Sequence, residues 1–231
     1  MDSVQQRTAL LLSLQQGLDR MSLTVLPAAQ SLLVDYVLLL DKWNKAFNLS
    51  AIRDPAEMLS RHLLDSLSLI PRIQALLQDH KSRLGKNRLT ILDVGTGPGL
   101  PGIPLAICLP EHQFVLLDSN GKKTRFVLQA TIELGLSNVQ VENRRIENYQ
   151  SDRQVDIVVS RAFASLADFA RGCETVCGPD TRLIAMKGLY PADEIDHLPP
   201  NWMLTGAFRL EVPDSDGERH LIELEKQNAT G

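Results

Sequence analysis

The chain has 231 residues, of which 44% are hydrophobic and 23% are charged, and its formal net charge is −4. This length and composition are typical of a globular protein that buries a full core in one α/β domain with a helical extension. The net negative charge argues against a protein that binds polyanions over its whole surface, although it allows a local basic face.

The N-terminal stretch and the cysteines bear on where the protein works. The first residues, MDSVQQRTALLLSLQQ, place Gln and Arg among apolar residues at helical spacing, so they lack the unbroken apolar core of a signal peptide or membrane span. The three cysteines, Cys108, Cys173 and Cys177, form no C-x-x-C pair, and the last two stand four apart in a predicted helical stretch. We interpret them as packing residues and expect a cytoplasmic protein.

Helical periodicity dominates the first part of the chain. A first helix is predicted over residues 2–19. The stretch AQSLLVDYVLLLDKWNKAFN carries apolar residues at three- and four-residue steps, which predicts a helix with one broad buried stripe. Another helix is predicted at RDPAEMLSRHLLDSLSLI, where Asp54 is the cap, Pro55 the first helical residue and Glu57 the partner in a capping box.

Strand and helix patterns alternate after the polar stretch KSRLGKNR, which is the predicted linker. The strand candidates are LTILDV, QFVLLD, VQVEN, VDIVVS and RLIAMK, with a helical segment expected between each successive pair. Such alternation predicts a mostly parallel sheet with right-handed crossovers. The final NWMLTGAFRLEV and RHLIELEK predict two strands joined by a hairpin-like connection. We therefore predict a helical extension with its linker over residues 1–88, and over 89–231 an α/β domain with a Rossmann-like sheet whose last strand is antiparallel.

The stretch ILDVGTGPGLPG, residues 91–102, predicts a nucleotide-binding loop. Gly97, Gly99 and Gly102 satisfy the G-x-G-x-x-G pattern between a strand and a helix. Asp118 ends the next strand about twenty residues further on, where an acidic residue holds ribose hydroxyls. Taken alone, this pattern allows NAD, FAD or S-adenosylmethionine.

The residue that favours one of these cofactors is Asp93, at the end of the first strand. A carboxylate there would repel the pyrophosphate of a dinucleotide, whereas S-adenosylmethionine offers an ammonium group and a sulfonium nearby. Pro101 and Pro104, in the first turn of the helix, also leave fewer N–H donors for a phosphate. The alternative role for Asp93 is that of a helix cap. The sequence therefore favours a methyl donor in this loop.

The residues after the fourth strand bear on the methyl acceptor. The stretch SRAFASL lacks the Asn/Asp-Pro-Pro-aromatic loop of amino-group methyltransferases. It also lacks the nucleophilic cysteine that carbon methylation of pyrimidines needs. A target with its own lone pair remains, either a purine ring nitrogen or a 2′-hydroxyl. A ring nitrogen needs no general base, because no proton has to leave it.

Basic residues follow several strands, at the edge where ligands bind in a doubly wound sheet. They are Lys122, Lys123 and Arg125 after the second strand, Arg144 and Arg145 after the third, Arg161 after the fourth and Lys187 after the fifth. The alternative for any single one of them, above all Lys122 and Lys123, is a charge that lies at a helix end without contacting a ligand. We nevertheless expect the rim of the site to be basic despite the net acidity of the chain.

Six blocks of the sequence are unusual enough to compare with known families. They are WNKAFNLSAIRDPAEMLSRHLLDSL, DVGTGPGLPGIPLAI, LLDSNGKKTRF, VSRAFASL, MKG and DGERHL, and the likeness covers roughly residues 35–225. In these blocks the chain closely resembles the bacterial 16S ribosomal RNA guanine-N7 methyltransferase family, RsmG or GidB. The resemblance implies a class I S-adenosylmethionine-dependent enzyme that methylates N7 of one guanine in the decoding-region loop of 16S rRNA. The implied partner is 16S rRNA or the small ribosomal subunit, with no metal and no obligate protein partner.

The resemblance also implies roles for individual residues. The predicted donor pocket comprises Gly95, Leu100, Ile146, Glu147 and Arg161 from the family, with Asp93, Gly97 and Asp118 added on the grounds above. Arg145, Lys187 and Arg219 match positions expected to meet the RNA or organise the target guanine, and are the predicted catalytic set. The neighbouring Arg144 leaves open which of the two adjacent arginines has that role.

We expect direct in-line transfer, in which catalysis comes chiefly from holding donor and acceptor in near-attack geometry. Because the methylated guanine is cationic, an arginine pressed against N7 would oppose the reaction. Arg145, Lys187 and Arg219 are therefore expected to grip the RNA backbone. Two other classes remain open at this point, a nicotinamide-dependent reductase and a non-catalytic RNA-binding factor.

Three further side chains have competing interpretations. Phe163 is the candidate for stacking on an unstacked base, with a core position under the loop as the alternative. Arg61 and Asp65 stand four apart on a predicted helix and are expected to pair. His62, between them, is interpreted as a packed or capping histidine.

Overall fold

The protein is described by a computed structural model over residues 3–215 and 217–227. The first part of the described chain is helical. Its elements are α1 (Ser3–Arg20), α2 (Pro27–Phe47), α3 (Pro55–Met58), a π-helical turn (Leu59–Leu64), α4 (Asp65–Leu67) and α5 (Ile70–Leu84). The predicted helix start is confirmed, because the Asp54 side chain accepts a hydrogen bond from the Ala56 N–H at 3.0 Å and Pro55 begins α3.

Strands and helices then alternate around one seven-stranded sheet. The strands are β1 (Thr90–Val94), β2 (Gln113–Leu117), β3 (Val139–Glu142), β4 (Val155–Ser160), β5 (Cys177–Lys187), β6 (Trp202–Arg209) and β7 (His220–Lys226). The helices among them are α6 (Gly102–Cys108), α7 (Gly121–Glu133), α8 (Leu166–Gly172) and α9 (Ala192–Asp196).

The strand order is β3-β2-β1-β4-β5-β7-β6. Strands β1 to β5 are parallel, and β7 lies antiparallel between β5 and β6. This confirms the predicted α/β fold with an antiparallel end. The order reverses between β1 and β4, and in open α/β sheets ligands bind outside the carboxyl ends of the strands at such a point.

Two local predictions are wrong. A 3₁₀ turn over Ile146–Asn148, rather than a full helix, joins β3 to β4. Cys177 is not helical, because it begins β5 and pairs with Val155 of β4. Gly178 and Pro179 follow Cys177 directly, and a proline cannot continue a helix at that point.

The helices that precede β1 pack on the sheet through a shared apolar cluster. Leu33 and Leu64 from the helical part belong to the same buried cluster as Ile103 and Phe114. The rings of Trp43 in α2 and Phe126 in α7 approach with centroids 5.7 Å apart. The division of the chain into two domains at residues 88 and 89 stays a prediction. Within the described ranges, the structure contains no helix that is both long and apolar enough to cross a bilayer.

Candidate functional site

The glycine loop lies between β1 and α6, at the carboxyl edge of the sheet. Gly95 has a φ of +70°, and a Cβ built on it would lie 2.6 Å from the Cβ of Ala162. Gly97 has a φ of +61° and donates its N–H to Oδ2 of Asp118 at 2.9 Å. Residues with side chains rarely adopt such backbone conformations, so glycine is required for this loop to reach Asp118.

Asp93 lies beneath the loop, with none of its surface exposed. Its Oδ2 accepts hydrogen bonds from Oγ1 of Thr96 at 2.6 Å and from the N–H of Gly102 at 2.9 Å. Burial raises the pKa of Asp93 to about 6, although both hydrogen bonds act in the opposite direction. Asp93 therefore holds the start of α6 through the Gly102 N–H, in agreement with the alternative interpretation of this residue as a helix cap. Its carboxylate does not line either cleft described below, in contrast to the predicted position beside a cationic donor.

A cleft of about 340 Å³ opens beside the glycine loop and is named here the glycine-loop cleft. The predicted site residues that line it are Gly95, Asp118, Arg145, Ile146 and Glu147, together with Arg144 and Phe163. Asp118 holds the loop through the Gly97 N–H bond to its Oδ2, while its Oδ1 accepts from the N–H of Asn120, the residue before α7, at 2.8 Å. Leu100, also predicted in the donor pocket, lies in the apolar core with 2% of its surface exposed and does not line this cleft.

A second cleft, of about 320 Å³, is named here the basic cleft. It is lined by Ile52, Arg61, His62, Asp65, Arg161, Met186, Lys187, Gly188 and Arg219. The two clefts adjoin at the end of β4, because Arg161 lines the basic cleft while the next residue, Ala162, lines the glycine-loop cleft. Arg161 was predicted in the donor pocket, and the structure places its side chain in the neighbouring cleft.

The basic cleft is organised around Asp65, whose surface is 4% exposed. Its Oδ2 accepts a hydrogen bond from Nη1 of Arg161 at 2.7 Å, and its Oδ1 accepts one from Nε of Arg219 at 3.1 Å. The predicted pairing of Asp65 with Arg61 is wrong. The π-helical turn over Leu59–Leu64 widens the helix between those two residues, so the spacing of four no longer brings them together.

Lys187 is held by a second carboxylate. Its Nζ lies 2.8 Å from Oε2 of Glu194 and donates to the carbonyl of Ala164 at 3.2 Å. Oε2 of Glu194 also accepts the backbone N–H of Leu166, at the start of α8. Sequence reasoning missed Glu194 and the role of Asp65 in this cleft. Asp65 could have been found from the stretch LLDSL, which places a carboxylate among apolar residues. A buried carboxylate is rare unless it is paired.

His62 also lines the basic cleft. Its Nε2 lies 2.7 Å from the Ser50 hydroxyl, as expected of a packed histidine. Burial and the nearby charge of Arg161 lower the pKa of His62 to about 4. The imidazole is therefore neutral at pH 7.

Phe163 lies in the glycine-loop cleft, with its ring centroid 5.1 Å from that of Phe169. The predicted catalytic set is also divided between the clefts, since Arg145 is exposed in the glycine-loop cleft while Lys187 and Arg219 line the basic cleft. In the part of the chain that the structure describes, no three His, Cys, Asp or Glu side chains are grouped as they would be to hold a metal ion.

The sheet order and the loop after β1 define the fold class. A parallel sheet with the order 3-2-1-4-5, an antiparallel strand inserted next to β5 and a glycine loop at the switch point is the class I S-adenosylmethionine-dependent methyltransferase fold. The crystal structure of TrmN from Thermus thermophilus has this fold, with a TM-score of 0.53, 24% identity, and coverage of 73% of this chain and 53% of that one.

Sequence relatives identify the family. Residues 29–222 match the family described as rRNA small subunit methyltransferase G, GidB. The ribosomal RNA small subunit methyltransferase G of Hahella chejuensis is 44% identical over 94% of both chains. That of Alteromonas mediterranea is 46% identical over 93% of this chain and 95% of its own. The chain belongs to the rRNA small subunit methyltransferase G family, and S-adenosylmethionine is its methyl donor. This membership gives no support to the reductase or the non-catalytic RNA-binding alternatives.

Proposed function

We propose that this enzyme acts in the cytoplasm and methylates N7 of one guanine in the decoding-region loop of 16S rRNA. The observation that carries the proposal is the pair of adjoining clefts, one lined by apolar side chains with two carboxylates and two arginines, the other by four cationic side chains. The first suits the adenosine part of a donor, and the second suits a loop of RNA with its phosphates. The relatives described above are named as methyltransferases of the small-subunit ribosomal RNA.

The glycine-loop cleft has the groups that a bound S-adenosylmethionine requires. Asp118 lies where a carboxylate can accept hydrogen bonds from ribose hydroxyls, next to the backbone of the loop. Ile146 and Phe163 offer apolar surface for an adenine ring. The cleft carries two carboxylates and two arginines, so the family of the chain, rather than the charge of the cleft, supports this donor over a dinucleotide. These assignments of single residues are part of the proposal.

The basic cleft has the groups that an RNA loop requires. Arg161, Lys187 and Arg219, together with the exposed Arg61, bring four positive charges into a cleft beside the donor. Arginine guanidinium groups bind phosphate through two parallel hydrogen bonds, a contact that leaves N7 of the guanine free to react. We infer that these side chains hold the RNA loop and turn the acceptor guanine toward the glycine-loop cleft.

One observation favours a ring nitrogen over a 2′-hydroxyl as acceptor. A hydroxyl must lose a proton, and the base would have to lie in the basic cleft beside it. Among the described residues lining that cleft the one carboxylate is Asp65, and both of its oxygens accept hydrogen bonds from arginines. The imidazole of His62 is also engaged, with Nε2 2.7 Å from the Ser50 hydroxyl and Nδ1 3.2 Å from the carbonyl oxygen of Arg61. A guanine N7 carries a free lone pair and needs no such base.

The chemistry then depends on position and charge. When bound, S-adenosylmethionine supplies an electrophilic methyl group, which the N7 lone pair takes directly without a covalent enzyme intermediate. The cleft residues contribute by fixing the acceptor in near-attack geometry, an effect worth up to about 7–11 kcal/mol. As the guanine becomes cationic, guanidinium groups already paired with Asp65 oppose that charge less than unpaired ones would.

The proposal is tested by a methylation assay with radiolabelled S-adenosylmethionine. The acceptors are naked 16S rRNA, assembled small subunits and an unrelated RNA of similar length, and the modified base is mapped by reductive cleavage at N7-methylguanine. One cleavage in the decoding-region loop is the expected result, and it also shows which assembly state is the substrate. Label in another base, or no label on either ribosomal acceptor, contradicts the proposal.

A further inference from the structure

We propose that Asp65 is a positioning residue for methyl transfer, which holds the guanidinium groups of Arg161 and Arg219 in the one orientation that receives the RNA. This inference rests on the function proposed above. It joins a carboxylate from the helical part of the chain to two cations beside the sheet, Arg161 after β4 and Arg219 before β7.

The geometry of the three side chains supports this role. Each oxygen of Asp65 accepts a hydrogen bond from a different arginine, at 2.7 Å from Nη1 of Arg161 and at 3.1 Å from Nε of Arg219. The side chain of Asp65 is 6% exposed, while those of Arg161 and Arg219 are 24% and 23% exposed. The carboxylate is therefore behind the two guanidinium groups, which keep a part of their surface toward the cleft.

The charges of Asp65, Arg161 and Arg219 indicate an electrostatic role for the carboxylate in addition to its packing. Two guanidinium groups that face each other repel, and a carboxylate shared between them offsets that repulsion. With Asp65 between them the cluster carries a net charge of one, which attracts phosphate but opposes a cationic guanine less strongly. A buried carboxylate is costly without partners, so the three groups fix one another.

The local backbone places Asp65 for this task. The residue follows the π-helical turn over Leu59–Leu64, a feature that frequently occurs at functional sites. Its neighbours Leu63, Leu64 and Leu67 are fully or almost fully buried, which anchors the carboxylate against the core. Lys187 pairs with another carboxylate, Glu194, whereas Asp65 pairs with Arg161 and Arg219.

The test compares Asp65→Asn with Asp41→Asn in the full chain. Asp41 is a matched control, since it is a buried aspartate that pairs with Lys45 at 2.8 Å and lines neither cleft. We expect Asp65→Asn to lower kcat on the ribosomal acceptor about 100-fold, the effect of a misplacement of about 1 Å. The Kd for S-adenosylmethionine should change less than about threefold, and Asp41→Asn should match the wild type.

A second readout does not depend on activity. In nitrogen-15 NMR spectra, the Nε–H of Arg219 should exchange slowly with solvent in the wild type and in Asp41→Asn, and rapidly in Asp65→Asn. The signal is assigned by its loss in Arg219→Lys. If Asp65→Asn does not fold, Asp65→Glu keeps the charge but displaces both arginines, and the same fall in kcat with retained donor binding is expected.

Two results overturn the inference. One is a folded Asp65→Asn whose kcat and Arg219 Nε–H exchange equal those of the wild type. The other is rapid exchange of that N–H in the wild type itself. A wild type with slow exchange but no methyl transfer to guanine N7 would instead refute the proposed function, so the two failures are distinguishable.

Discussion

The hydroxyl of Tyr36 donates a hydrogen bond to the backbone carbonyl of Pro98, 2.9 Å away. This bond joins α2, in the helical part of the chain, to the glycine loop that follows β1. Tyr36 has no exposed surface, and burial raises the pKa of its phenol above the ordinary value, so the hydroxyl remains a donor at any physiological pH. The helical part therefore braces the loop in addition to covering the sheet.

Removing this hydroxyl should loosen the loop. We expect Tyr36→Phe to lower the free energy of unfolding by about 1–3 kcal/mol, because the Pro98 carbonyl loses its donor in a buried setting. The affinity for S-adenosylmethionine should fall several-fold as the loop gains freedom. Denaturant unfolding and calorimetric titration measure these effects. Tyr190→Phe is the control, since Tyr190 is 49% exposed, and equal behaviour of the two variants would contradict a bracing role.

The buried carboxylate of Asp93 predicts a specific pH dependence of stability. Its pKa is raised from 3.8 to about 6, so the folded state binds a proton more tightly than the unfolded state does. The stabilisation from the protonated form is present below about pH 4 and is lost as the pH rises to about 6. Relative to Asp93→Asn, the wild type should therefore lose on the order of 3 kcal/mol of stability over the whole titration, of which about 2 kcal/mol falls between pH 4.5 and pH 7.

Denaturant unfolding at pH 4.5 and pH 7 tests this difference. Asn fits the site, because its carbonyl can accept the Gly102 N–H while its amide takes the place of Oδ1, for which no hydrogen-bond partner is present among the described residues. Asp41→Asn corrects for general effects of charge removal. A difference between wild type and Asp93→Asn that stays constant with pH would show that the carboxylate is already ionised at pH 4.5.

The cations at the site differ in exposure and pairing, so we expect them to contribute differently to the salt dependence of rRNA binding. Arg145 is exposed, whereas Lys187 is paired with Glu194. We expect Arg145→Ala to reduce the slope of log affinity for rRNA against log salt by about 1, as for one lost phosphate contact. Lys187→Ala should reduce the slope by less, since its charge is already partly neutralised.

Filter binding at several salt concentrations measures these slopes. Arg83→Ala is the control, because Arg83 pairs with Asp180 near the start of β5, away from the carboxyl edge. Slopes for Arg145→Ala that match the wild type would mean that Arg145 does not meet the RNA backbone.

Phe163 lies in the glycine-loop cleft and packs on Phe169. We expect Phe163→Ala to weaken binding of S-adenosylmethionine about tenfold, in line with the loss of one stacking partner. Affinity for rRNA in the absence of donor should be unchanged. Titration of each ligand separately makes the distinction, with Phe208→Ala as the exposed control. Loss of rRNA affinity with intact donor binding would favour the stacking of Phe163 on the target base.

Local patterns were sufficient to predict the sheet and the glycine loop. Apolar runs with flanking turns specify β1, β2, β4 and β5, and the glycine spacing specifies the loop after β1. The cluster around Asp65 could not be predicted in this way, because its partners Arg161 and Arg219 are 96 and 154 residues away in the chain. The orientation of Asp93 was also beyond the sequence, since a strand-end carboxylate can point into a cleft or under a loop.

The division of the basic residues between two clefts could not be predicted either, because it depends on contacts between residues that are far apart in the chain. Their positions after successive strands predict one edge of the sheet, and the structure confirms that edge for Arg145, Arg161 and Lys187. Which cleft each side chain enters depends on a carboxylate from another element, Asp65 for Arg161 and Glu194 for Lys187.

In the proposed reaction, the lone pair of guanine N7 takes the methyl group in the cleft beside the glycine loop. The most direct measurement uses 16S rRNA ligated to contain a single 7-deazaguanosine at the mapped acceptor position, next to the same RNA with guanosine. We expect both RNAs to bind equally well and only the guanosine form to receive a methyl group. Equal methyl transfer to both RNAs would contradict the proposed reaction and would show that another atom accepts the methyl group.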